Sequence, residues 1–190
     1  MEAVALVVSV LSLAVAGVGS WLANRRASEA IAESRKAAES ALWSGIQEAV
    51  QRLIGFDPSM EPIGERLQNL RIAGIALVDE MPEWAGLDKW LEAERALGAV
   101  LGRQVMELAR PTDTVDQRLK NLDPYLVWAQ VLGGNLRRFR AVGYDAAAAA
   151  ELRASAESRA EQIYVKHGWE RPPKTTPGVK PVRGTGSDAT

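Results

Sequence analysis

The chain has 190 residues, enough for one modest domain together with an anchor and a tail. Its 23 Lys and Arg nearly balance 24 Asp and Glu, which argues against a dedicated nucleic-acid binder, since that needs a basic excess to neutralise phosphates. Cysteine is absent, so disulfides and thiolate metal sites are excluded.

Ala3 to Ala23 reads AVALVVSVLSLAVAGVGSWLA and carries no charge. About 20 such residues in a helix span the ~30 Å hydrocarbon core of a bilayer. Trp21 lies at the far end, where an indole favours the membrane interface, and Arg25 and Arg26 follow at once. The segment 1–24 reads as an uncleaved transmembrane anchor. The positive-inside bias then puts everything after Asn24 on the cytoplasmic side. Two alternatives are weaker. Ala14-Val15-Ala16 resembles a signal-peptide cleavage site, but Glu2 stands where a basic n-region belongs. A buried core helix seldom stays charge-free for so long.

Small residues recur by three or four through this run, at Ala5, Ser9, Ser12, Ala16 and Ser20. The stripe continues in Ala23, Ala27, Ala30, Ser34, Ala38 and Ala41. Such stripes let membrane helices approach closely, so a homodimer seam is one expectation. The plainer explanation is that alanine and serine are frequent here.

The segment 25–54 has no proline, and no glycine before Gly45. Ile31, Ala38, Leu42, Ile46, Ala49 and Leu53 share one helical face, and no breaker separates this helix from the anchor. The spacing predicts one long helix. Gly55 to Pro62 is a turn region. The segment 55–169 then reads as a helical bundle. Its first helix covers about 62–78, with a heptad-like seam of Ile63, Leu67, Leu70, Gly74, Leu77 and Met81. Ile72 and Ile75 widen that face, which predicts a deeply buried helix. Pro82 ends it.

A further helix spans about 83–110, with Trp84, Leu87, Trp90, Leu91, Leu97, Leu101, Val105 and Leu108 on its apolar side. Pro111 stops it. Asp113 reads as the next N-cap, with Asp116 in the first turn. The following face runs Val115, Leu119, Leu122, Leu126, Ala129, Leu132, Leu136 and Phe139, and its phase is kept across Pro124. That favours a kink over a break. Asp145 caps a last, alanine-rich helix to about His167, closed by Gly168 and expected on the outside of the bundle. The tail 170–190, rich in Pro, Gly and Thr, cannot bury a core and is expected to be disordered.

The expected fold is therefore all-α: one N-terminal transmembrane helix, a cytoplasmic bundle of four to five helices, and a disordered tail. No catalytic constellation, metal site or cofactor loop stands out. His167 has no nucleophile beside it in sequence and sits where a cation suits a helix C-terminus. Glu92 and Glu94, beside Arg95, read most simply as a solvated face. Glu94 falls close enough to the apolar seam for a buried pair with an arginine. Arg137, Arg138 and Arg140 form the densest basic run, suited to anionic lipid or to a partner's acidic patch, although basic residues are ordinary at a helix end. Trp169 is the candidate exposed docking residue. The expected function is a membrane-tethered interaction or scaffold module, with the bilayer, a second copy and a cytoplasmic protein as partners. The alternatives are an anchored enzyme or effector with an interhelical pocket, and a membrane-active protein of mobile-element origin.

Overall fold

A computed structural model describes residues 2–172, the side chains of 2–20 and 22 excepted. Among the described residues it is entirely helical: α1 Glu2–Ile54, α2 Gly64–Glu80, α3 Leu87–Leu108, α4 Val115–Val142 and α5 Ala146–His167. The tail read as disordered lies, beyond Pro172, outside the described residues. So do the side chains of most of the charge-free run. Among those that are described, no helix is long and apolar enough to cross a membrane.

α1 runs unbroken through 53 residues, about 80 Å at 1.5 Å per residue. Its C-terminal turns, α2, α3 and α4 form a closed ring: α1 packs on α2 and α4, and α3 packs on α2 and α4. Contacts set the directions. Val50 meets Gly133 and Ser40 meets Arg140, so α4 runs antiparallel to α1. Trp128 lies against Gly98 and Phe139 against Trp90, so α4 is also antiparallel to α3. Gly74 faces Leu91 and Gly102 faces Ile63, which makes α2 and α3 antiparallel. α5 packs on α3 alone. It runs parallel to α3, because Tyr144 bonds to Ala85 at one end and Trp169 to Glu107 at the other. The result is an antiparallel four-helix ring with a fifth helix outside it.

The seam of α2 is buried throughout, from Ile63 to Met81. The reading of Ile72 and Ile75 as core is corrected: they are 56% and 50% exposed. A helix in a four-membered ring buries only the arc facing its two neighbours, and this arc is filled by the heptad positions alone. α3 starts at Leu87 rather than Glu83, because two turns (Trp84 N–H to Met81 O, Leu87 N–H to Trp84 O) occupy the intervening residues. α4 continues through Pro124. Its N-cap is Thr114, whose hydroxyl accepts from Gln117, while Asp113 accepts from Arg110 and closes the preceding turn. With Trp128 opposite Gly98, residue 118 falls opposite the end of α3. Val115 therefore overhangs the bundle, and Leu119 lies at its very edge. Both are exposed.

The same register argument applies to α1. Ser40 sits level with Arg140, near the end of α4. Upstream of it no neighbour remains, and Ala23 to Ala41 are exposed on every face. From Leu42 onward α1 enters the core through Trp43, Ile46, Ala49, Val50 and Leu53. The bundle thus takes its first element from the end of the segment 25–54.

Candidate functional site

The centre of the bundle is organised by α3. Trp90, Glu94, Gly98 and Gly102 follow one another at four-residue steps, which stacks them along one helical face. Glu94 is 6% exposed. Its Oε1 accepts the indole N–H of Trp90 at 3.0 Å and its Oε2 that of Trp128 at 2.9 Å. The partners of this buried carboxylate are therefore indoles, in place of an arginine, and the solvated reading is corrected. Burial pushes the Glu94 carboxyl above the usual carboxylate range, against the two indole bonds and the more distant Arg159. The direction shows that desolvation outweighs its hydrogen bonds.

Glycine makes room for this arrangement. A Cβ on Gly98 would lie 2.2 Å from Cη2 of Trp128, and one on Gly102 would lie 2.8 Å from Cδ1 of Ile63. The Trp128 ring is thus inlaid against the α3 backbone. Gly133 does the same for Val50 at 3.2 Å, which gives one of the paired glycines of α4 its reason as close packing. At the end of the bundle from which α1 emerges, aromatic rings form a chain. Trp43 meets Trp84 (5.5 Å), Trp84 stacks on Tyr144 (4.6 Å), Tyr144 meets Phe139 (5.2 Å) and Phe139 meets Trp90 (5.3 Å). Tyr125 is fully buried, and burial pushes its phenol well above the usual range.

Grooves open on the surface among the described residues. One, of about 320 Å³, lies between α2 and α3 over Leu70, Gly74, Val78 and Leu91. Arg71 and Arg95 stand at one end of it, Asp79 and Asp88 at the other. Glu92 pairs with Arg95 at 2.6 and 2.9 Å, which holds its carboxyl below the usual range. The second, of about 690 Å³, lies between α4 and α5, with Asn135, Arg138, Tyr144 and Glu151 among its lining. Among the described residues no cluster of His, Asp and Glu is placed to hold a metal ion.

The residues singled out from the sequence are scattered. Trp21 is 61% exposed, with the Arg25 guanidinium 5.8 Å from its ring centroid. Arg25 pairs with Glu29, and Arg26 is exposed. Ala27 and Ala38 are exposed on the projecting part of α1, while the side chains of Ala5, Ser9, Ser12, Ala16 and Ser20 lie outside the described residues. Arg137, Arg138 and Arg140 are exposed at the end of α4, on either side of buried Phe139. Arg140 donates to the Ser40 hydroxyl at 3.2 Å.

Trp169 does not project from the surface. It is half-buried, stacks on His167 (4.5 Å), donates its indole N–H to Glu107 (3.1 Å) and lies under the Arg103 guanidinium (4.0 Å). The cause is a Schellman closure of α5. Gly168 adopts φ 63°, its N–H bonds to Val165 and the Trp169 N–H to Tyr164, which turns Trp169 back over the last helical turn. The His-Gly-Trp sequence carried that signal. His167 itself lies 3.2 Å from the Gln104 amide, between Nε2 atoms.

Compared with protein-family models, with curated proteins and with solved structures, the chain gives no match to any of them.

Proposed function

We propose that the chain is a membrane-tethered interaction module, in which a rigid helical stalk holds a small bundle away from the bilayer and presents it to a cytoplasmic partner. The observation that carries the reading is the continuity of α1. The charge-free run Ala3–Ala23, the exposed stretch to Ala41 and the first core element of the bundle are one uninterrupted helix. From Arg25 to Ser40 this helix rises about 22 Å. Arg140, level with Ser40, then stands well beyond the ~8 Å screening length at physiological salt. In this arrangement Arg137, Arg138 and Arg140 serve a protein partner rather than lipid headgroups. The core supports the same reading, since Glu94, the one buried carboxylate among the described residues, is closed off by two indoles and works as a structural pin.

The test is localisation and topology of the full chain. It should stay with membranes through alkaline carbonate extraction. A C-terminal alkaline phosphatase fusion should be inactive and a C-terminal fluorescent protein bright, because Arg25 and Arg26 follow the run directly. Release by carbonate, or an active phosphatase fusion, would overturn the tether or its orientation.

A further inference from the structure

The groove between α2 and α3 carries more than a scaffold needs. Arg71, Ile72, Ile75, Val78 and Asp79 share one face of α2, and Asp88, Leu91, Glu92 and Arg95 line the facing side of α3. Because the two helices are antiparallel, Arg71 falls beside Arg95 and Asp79 beside Asp88. The Arg71 charge also acts on Glu92, which places them at the same end. Glu92 neutralises Arg95, leaving about one net positive charge there, opposed by two carboxylates at the other end. Among the described residues Arg71, Asp79 and Asp88 make no ion pair within 4.0 Å. Between these ends the floor is apolar, and Gly74 adds no side chain to it. Ile75 is half exposed on the rim and Ile72, similarly exposed, extends the apolar surface past it. The two charged ends are separated by eight residues of α2, about 12 Å.

We propose that this groove docks an amphipathic helix of a partner protein, one that presents an acidic and a basic residue about two turns apart with an aliphatic side chain between them. The acid meets Arg71, the base meets Asp79 and Asp88, and the aliphatic group sits over Gly74 against Leu91 and Ile75. Two turns of helix rise about 11 Å, which matches the separation of the charged ends. A compact zwitterion would satisfy the charges and leave the Ile72–Ile75 surface bare, whereas a helix laid along the groove covers both. This rests on the interaction-module reading but not on the anchor, so a chain recovered without membranes would leave the binding measurement unaffected.

The test uses the full-length protein in detergent micelles. The probe is an alanine-rich peptide of roughly 20 residues, long enough to hold a helix, with Glu, Leu and Lys at steps of about four and three. Titration should give saturable binding by fluorescence anisotropy. Arg71→Glu should weaken it about tenfold, and a peptide carrying Lys in place of Glu should recover the loss on that variant alone. Ile75→Asp, at a solvent-facing position, should abolish binding while the helical circular dichroism stays unchanged. Binding indifferent to Arg71→Glu, failure of the exchanged peptide to recover it, or no saturable binding at all would overturn the proposal.

Discussion

Gly98→Ala sets two effects of known size against each other. Replacing glycine by alanine inside a helix stabilises by about 1 kcal/mol through propensity. At Gly98 the new methyl would meet three atoms of the Trp128 ring, at 2.2, 2.5 and 2.9 Å. Carbon atoms settle near 3.5–4.0 Å, so the ring has to retreat by more than ~1 Å. It cannot do so alone, because its indole N–H is bonded to Glu94 at 2.9 Å and the ring is 1% exposed. Overpacking costs about 1–3 kcal/mol. Stretching a hydrogen bond to a buried carboxylate adds about 1.5–3 kcal/mol. Against the propensity gain, the net is destabilisation by about 1.5–5 kcal/mol, or roughly 3–20 °C in a chain of this size. Gly134→Ala is the control. It lies inside α4 with nothing within 4 Å of the added Cβ, so propensity acts alone and stability should rise by about 0.5–1 kcal/mol. Thermal unfolding of both variants by circular dichroism, with near-ultraviolet spectra reporting the indoles, decides the matter. If Gly98→Ala unfolds at or above the wild-type temperature, the inlaid-ring account of the core is wrong.

Two further outcomes are expected. Glu94 holds its proton more tightly folded than unfolded, so the native state binds the extra proton between about pH 4.5 and its raised value, and stability must fall as pH rises through that window. Glu94→Gln cannot ionise, and although it leaves one indole facing an amide donor, its stability relative to wild type should improve steadily with rising pH; a difference that does not change with pH would show that Glu94 is not the titrating group. Single cysteines at Ala27 or Ala38, in a chain with none of its own, should give disulfide-linked dimers under oxidation in membranes while one at Glu29 does not, since the small-residue stripe is exposed on the projecting part of α1; equal crosslinking from both faces would discard the seam.

Local signals that act within a few residues were legible in the chain itself. The Asp145 carboxylate accepts from the Ala147 and Ala148 N–H groups as an N-cap, and Gly168 closes the same helix, as their residue types require. The seam from Ile63 to Met81 was set by its heptad spacing, and the unbroken α1 by the absence of any proline. What sequence could not supply was register between helices. Ile72 and Ile75 look no different from core isoleucines, and only the positions of α1 and α3 around α2 leave them outside. Glu94 shows the same limit most clearly. Trp90 lies one turn away on its own helix, but Trp128 is 34 residues distant, and it reaches the carboxylate because Gly98 lets its ring lie on the α3 backbone. A buried charge reads as a surface charge until its distant donor is in place, because burial is a property of the neighbours a side chain acquires, and those were chosen by packing rather than by the local pattern.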